Sequence, residues 1–599
     1  MYRFIVVLFL ALLEFQGLHS QTANYPKGYF RWPTDLQPAI VANMGELRPN
    51  HWHMGLDVRT NGKENQSVFA AADGYIAYAG IRPQSFGRFI IVNHPNGLST
   101  LYGHLNAFFP ALEQYVTAQQ YKQESWAMEL EFTKDQFPVK KGSFIAYSGN
   151  TGGSQGPHVH FEIRDTKSGK CLNLLLFGFP LSDNVKPSIV KLALYDRDRS
   201  IYRSAPRFFP VKNTDSGYIL PKMPVIETGT GKFSFGIQSF DRMTGSANED
   251  GIYSASLFLD ETPVIKFRLD SIGYDDTRYL NAQIDYPLRY KGGPFIQHLS
   301  RLPGDRSNVY QPAAADGVIS LTDTMIHSVR IEVRDAYQNL SVLRFKVRFD
   351  PGLPVANHPE GIPLLPAREN KPAWAGFEVD LPAIALYDTV YADYSINSRS
   401  STFTLSSQHV LNDPSIPIHS SFTVRIRPDR PIPSEWKDRL VMNRFYRNGV
   451  SVRKAKLQNN WITAEMGDFG AFQATADVTP PTINELGKGD TVNLSAANRI
   501  VFVPEDNSGV SSFRAELDGN WLRFTNDKSR AWIYIFDERC PYGVHELRVT
   551  ATDIVGNITE KSWWFKRYPY TPPVKKAKGK KKSGKKTTAA KKTVKKKKK

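Results

Sequence analysis

Residues 142–164, GSFIAYSGNTGGSQGPHVHFEIR, read as a strand, a wide glycine turn and a second strand. Phe144 to Ser148 and His158 to Ile163 are short runs of aromatic and β-branched residues, and four of the nine residues between them are glycine. The same texture runs back to Val68. GYIAYAG from Gly74, GRFIIVNH from Gly87 and LSTLYGHL from Leu98 each have strand length, and Asn96-Gly97 between the last two predicts a hairpin. One stretch breaks the pattern: ALEQYVTAQQYKQESWAMELEF, from Ala111, has helical composition and predicts an insertion over about 106–137. The expectation is an all-β domain over 21–182, an antiparallel sheet interrupted by that insertion.

Beyond Asp183 the chain repeats itself. Asp183-Asn184-Val185-Lys186-Pro187-Ser188-Ile189 resembles Asp477-Val478-Thr479-Pro480-Pro481-Thr482-Ile483. Gly251-Ile252 is followed by Asp260 as Gly509-Val510 is followed by Asp518. His327 to Asn339 matches His545 to Asn557 with identical spacing, Asp335 aligning with Asp553. Three landmarks in one order predict two copies of a β-sandwich module, at 183–350 and 477–568. They look like the immunoglobulin-like modules of bacterial exported proteins, the first with an insertion around Asp270 to Gly317. Residues 351–372 are proline-rich and read as a linker, and 373–476 as a further β-rich module.

Two histidine clusters carry the chemistry. His51-Trp52-His53-Met54-Gly55-Leu56-Asp57 is the first and His158-Val159-His160-Phe161-Glu162 the second. A strand places residues i and i+2 on one face, so His158 and His160 project together. Two imidazoles with a distant His and Asp suit an open tetrahedral zinc site, with three protein ligands and a fourth position for water. Such a water ionises near neutral pH while the metal polarises a carbonyl. A phosphate-loop reading of Gly149 to Gly156 fails, because Gly-Lys-Ser/Thr is missing and a strand follows where a helix is required. A wide loop bringing backbone close to a peptide fits better.

The order of motifs is more specific than any one of them. His-x-Gly-x-Asp from His53, V-x-A-x-x-x-G from Val68, Tyr102-Gly103-His104-Leu105, and GNTGGSQGPHVHFE from Gly149 follow one another. Over roughly Asn50 to Arg164 the chain closely resembles LytM/lysostaphin-type zinc endopeptidases. The resemblance implies His53, Asp57 and His160 as ligands of one Zn²⁺ per chain, and His104 and His158 as catalytic residues that do not bind the metal. It also implies a preference for glycine-rich or D-alanine-containing peptides, and hence peptidoglycan as substrate. Under it His51 is a rim residue. Glu162 shares the face of His160 and is open as a general base or as a partner behind the ligand. His94, Asp165, His327 and His545 read as structural, and Cys171 and Cys540 as buried free thiols.

The chain's ends bear on location. Arg3, the apolar run Phe4 to Leu13 and Leu18-His19-Ser20 before Gln21 read as a secretory signal over 1–20. Export to the periplasm or cell envelope, or secretion, is expected. The net charge of +18 belongs mostly to Lys575–Lys599, which carries 15 lysines and no acid, leaving about +3 elsewhere. A tail over 569–599 of this composition is expected to be disordered and to contact anionic polymers or membrane surfaces. No aromatics interleave with the lysines, which argues against specific nucleic-acid recognition. Two other functions stay open: a latent or non-catalytic activator of other wall hydrolases, with the insertion after His104 across the groove, and a wall- or polysaccharide-binding adhesin.

Overall fold

A computed structural model describes residues 25–572 except 224, 312–314, 356–360, 399–400, 448 and 529. The stretch expected to be a secretory signal and the lysines of the tail lie outside the described residues. The fold is nearly all β, in several sheets with separate cores.

Seven elements position the site: β1 (Leu56–Arg59), β2 (Gly74–Arg82), β3 (Gly87–Asn93), β4 (Leu98–Phe108), α1 (Pro110–Gln123), β5 (Phe144–Ser148) and β6 (His158–Asp165). The six strands belong to one antiparallel sheet in which β1, β6, β4, β3 and β2 are successive neighbours. Alternation sends Leu56, Val58, Tyr102, Val159, Phe161 and Ile163 into a dry core, each 0% exposed. The β3–β4 turn is the expected hairpin, with Gly97 at φ +81°. Of the helical insertion, only Pro110–Gln123 is helix; Met128–Glu131 returns as a strand against β2. Leu112 and Val116 of α1 and Trp126 after it enter the core, so the insertion is integral to the domain.

A few residues of the peptidase-like domain enter the core of the first sandwich. Trp52 is fully buried against Phe267 and its amide donates to Thr277 Oγ1. Met44, Met54 and Cys171 join the same cluster. Both repeat copies end alike: Leu340–Phe349 pairs with Val225–Thr228 in parallel, and Ile558–Arg567 with Thr491–Asn493 in parallel. The repeated histidines are explained by the repeated aspartates. His327 Nδ1 contacts Asp260 Oδ2 at 2.6 Å, and His545 Nδ1 contacts Asp518 Oδ2 at 2.7 Å.

The expected linker is not free of structure. Ile362–Leu364 is a strand paired with Val390–Ala392, so part of 351–372 belongs to the sheets that follow. Proline composition hid it, because an edge strand tolerates the missing donor of Pro363. The last module folds back onto the first domain. Trp521 meets Tyr121 edge-on at 5.2 Å, Arg523 donates to Gln120 Oε1 at 2.8 Å, and Arg514 pairs with Glu124 at 2.6 Å.

Candidate metal centre

Register builds the site. On three adjacent strands Asp57 pairs with His160, and His160 with Gly103, which sets His104 beside them. His53 arrives from the turn before β1, which only glycine permits. A Cβ on Gly55 would lie 2.4 Å from the Phe161 carbonyl oxygen on β6. His104 itself sits at φ +60°, where β4 bulges against β3, and this irregularity re-aims its ring.

Three donor atoms converge. His53 Nε2 and Asp57 Oδ1 are 2.9 Å apart, His160 Nδ1 and Asp57 Oδ1 3.0 Å, and the two imidazole nitrogens 3.0 Å. All three residues are buried. Ligand atoms of a zinc tetrahedron with bonds near 2.0–2.1 Å stand roughly 3.3 Å apart, so the triangle fits that ion within a few tenths of an ångström. The electrostatics favour a positive charge at this point. Burial opposes protonation of His160, yet Asp57 and Glu162 push its pKa up to about 9. The Asp57 carboxyl is held well below the usual range: burial works against ionisation, but His53 and the imidazole hydrogen bonds outweigh it.

Every ring is fixed from behind. His53 Nδ1 donates to the Asn43 carbonyl, His104 Nδ1 to the Thr151 carbonyl and His158 Nδ1 to the Gly156 carbonyl, each at 2.8 Å. Those bonds assign the proton to Nδ1 and turn Nε2 towards the centre. His158 Nε2 lies 3.3 Å from Asp57 Oδ1. His104 packs 4.8 Å from His158 and 5.9 Å from His160, centroid to centroid. Burial, with His160 and His158 adding to it, lowers the His104 pKa to about 3, so this imidazole is neutral at neutral pH.

Glu162 is not placed as a base. It is fully buried; Oε1 takes His160 Nε2 at 2.7 Å and the Tyr274 hydroxyl, and Oε2 takes Arg164 Nε at 2.6 Å and the Cys171 thiol. Burial resists its charge, but Arg164 and His160 keep it ionised and below the carboxylate range. A carboxylate behind a ligating imidazole fixes its tautomer and raises its basicity. His51 is exposed and bonds only to Pro49, at the rim. His94 bridges the Asp73 carbonyl and Thr100 Oγ1 as a structural residue. Both cysteines are buried and free.

Sequence reasoning missed four supporting groups. Arg48 donates to Asp57 Oδ2 at 2.8 Å; Asn43 and Thr151 act through backbone carbonyls; Tyr274 arrives from the next module. Only Arg48, nine residues ahead of Asp57 and just before the first histidine cluster, left any local signal.

Comparison with known proteins agrees with this geometry. The profile of peptidase family M23 matches residues 51–121, which hold His53, Asp57 and His104. The N-terminal domain is a peptidase M23 domain. Strand β6, which carries His158 and His160, lies beyond the matched stretch. A Zu5-like domain profile matches residues 364–477. The chain is similar to the cell division protein DipM of Caulobacter vibrioides, 31% identical over 23% of this chain and 18% of that one. It is similar to the DD-carboxypeptidase/endopeptidase Mpg of Neisseria meningitidis, 33% identical over 19% of this chain and 20% of the relative. With the murein hydrolase activator NlpD of Salmonella dublin it shares 28% identity over 26% of this chain and 33% of that one. The chain thus spans between 18% and 33% of these relatives' lengths.

Proposed function

We propose that this protein is an exported zinc metalloendopeptidase that hydrolyses peptide bonds in peptidoglycan, in the stem or cross-link peptides. The observation that carries the reading is the intact triangle of His53 Nε2, Asp57 Oδ1 and His160 Nδ1 with two further imidazoles facing it. Likeness to Mpg, whose name is that of a carboxypeptidase/endopeptidase, supports it.

His53, Asp57 and His160 would hold one zinc ion. When bound, such an ion supplies Lewis-acid polarisation of the scissile carbonyl and lowers the pKa of a water. The chain's own residues do the rest. His104 and His158, each anchored at Nδ1 by a carbonyl, present Nε2 lone pairs for the proton of the attacking water. The protonated ring then stabilises the oxyanion and delivers the proton to the leaving amine. The neutral state of His104 is essential to that role, since an imidazolium accepts nothing. Arg48 and Glu162 hold the Asp57 and His160 side chains in place while charge moves.

Replacing His160 with Ala is expected to abolish both zinc binding and hydrolysis of purified wall, followed by metal analysis and mass spectrometry of the released peptides. Retained hydrolysis overturns the proposal. A second reading, non-catalytic activation of another wall hydrolase, draws on the likeness to NlpD. It predicts that the unaltered chain releases no peptide by itself. The lysine tail is proposed to add salt-sensitive attraction to anionic wall polymers or membrane surfaces.

A further inference from the structure

The two sandwich modules repeat more than their strands. In the first, Asp183, Asp241 and Asp335 bring one carboxylate oxygen each to within 4.8 Å of the others; in the last, Asp477, Asp506 and Asp553 do the same. Asp183 and Asp477 enter their modules, Asp335 and Asp553 open the Asp-x-x-x-Asn turns, and Asp241 and Asp506 follow a core strand. Asn339 Nδ2 ties the first pair together, donating to the Asp183 carbonyl and to Asp335 Oδ2. Asn557 repeats this with the Asp477 carbonyl and Asp553 Oδ2.

In four of the six, one carboxylate oxygen has no hydrogen-bond partner among the described residues. Asp183 Oδ1 accepts from the amides of Val185 and Thr244 and from the Thr244 hydroxyl, while Oδ2 has no hydrogen-bond partner. Asp241 Oδ1 has none either, although Asp241 is 2% exposed. In the last module Asp506 Oδ1 accepts from Ser508 and Gly509, and Oδ2 is unpartnered; Asp477, 2% exposed, leaves Oδ2 unpartnered too. A buried carboxylate oxygen without a donor is costly, and three acids this close together compound the cost. Burial and then the Asp335 and Asp183 carboxylates push the Asp241 pKa up to about 8. Nothing about a sandwich core requires this arrangement, and it occurs at both places.

We propose that each module binds one calcium ion, through Asp183, Asp241 and Asp335 in the first and Asp477, Asp506 and Asp553 in the last. Hard oxygen donors alone select a hard cation, and two oxygens on opposite sides of Ca²⁺ at about 2.4 Å stand roughly 4.8 Å apart. Backbone carbonyls and water would complete six to eight ligands, and an extracellular module of this kind binds at around 10⁻⁴–10⁻³ M. Both sites lie at joints, since Asp183 and Asp477 are the residues on which the chain enters each sandwich. The first also lies behind the M23 site. Asp241 and Asp250 exchange backbone hydrogen bonds, Asp250 Oδ1 accepts from the Asn43 amide, and the Asn43 carbonyl accepts from His53. Calcium there would stiffen the support of His53 without touching it.

The test is calorimetric titration of calcium into the full chain, zinc-loaded and freed of calcium, alongside Asp241→Asn, Asp506→Asn and the double variant. Expected stoichiometries are two for the unaltered chain, one for each single variant and none for the double. Asn keeps the size and an acceptor oxygen, so the calcium-free variants should melt no lower than the calcium-free unaltered chain. Fewer than two ions on the unaltered chain at about 10 mM calcium overturns the proposal without any variant. So does a double variant that keeps both ions. Because the readout is calcium itself, it stands apart from any result on peptide hydrolysis.

Discussion

At the scale of single residues, the M23 site depends on charges placed behind the groups that do the work. Glu162 is the clearest case, since it is wholly buried and both oxygens are engaged. Replacing it with Gln keeps the shape and one acceptor but removes the charge that holds His160 and balances Arg164. Zinc affinity is expected to fall about 10–100-fold, as for other partners behind a ligating histidine. A competitive chelator titration measures this, with circular dichroism verifying an unchanged fold; undiminished affinity counts against the role. The five residues that meet here were legible in the sequence because they are side chains in a fixed order of motifs. Asn43 and Thr151 were not, because a carbonyl oxygen carries no residue identity. Tyr274 was not because it lies over a hundred residues beyond Glu162, in another module.

Elements show why the motif contains the residues it does. Gly55 stands where the turn after His53 crosses β6, and a methyl group there meets the Phe161 carbonyl oxygen and Glu162 Cγ at 2.4 and 2.8 Å. The Gly55→Ala variant must push β1 and β6 apart, and such overpacking costs roughly 1–3 kcal/mol. Its melting temperature should drop and its zinc content fall together, measured by calorimetry and metal analysis; a variant of full stability and zinc content refutes this account. The strands of this domain were legible from β-branched and aromatic enrichment and glycine turns, and α1 from composition. What composition misplaced was the strand after α1 and the strand inside the proline-rich stretch. Met128–Glu131 reads as helix by its residues, yet its hydrogen bonds go to β2. Pairing with a distant strand overrides local preference there.

The whole molecule raises the question of what the last module does against the M23 domain. Its contacts fall on α1, on Glu124 just after it, and on the two loops that hold His104 through the Phe86 and Thr151 carbonyls. Gln84 N donates to the Asp527 carbonyl at 3.2 Å, and Lys528 reaches Asn150 Oδ1 and the Ser154 carbonyl on the glycine loop before His158. The exposed Arg514–Glu124 pair contributes less than about 1 kcal/mol, so at α1 the stronger contacts are Arg523 with Gln120, and Trp521 and Arg539 with Tyr121. The Arg523→Glu, Trp521→Ala double variant should release the module, raising the radius of gyration in small-angle scattering while zinc content stays constant. Release opens the rim at Gln84 and Ser154 to a polymer but changes little for a short peptide that already fits. The rate on intact wall should therefore rise relative to the rate on a short soluble peptide. If that ratio is unchanged or lower once scattering shows the module detached, the docked module does not restrict the groove, and its place on α1 serves only to hold the chain together.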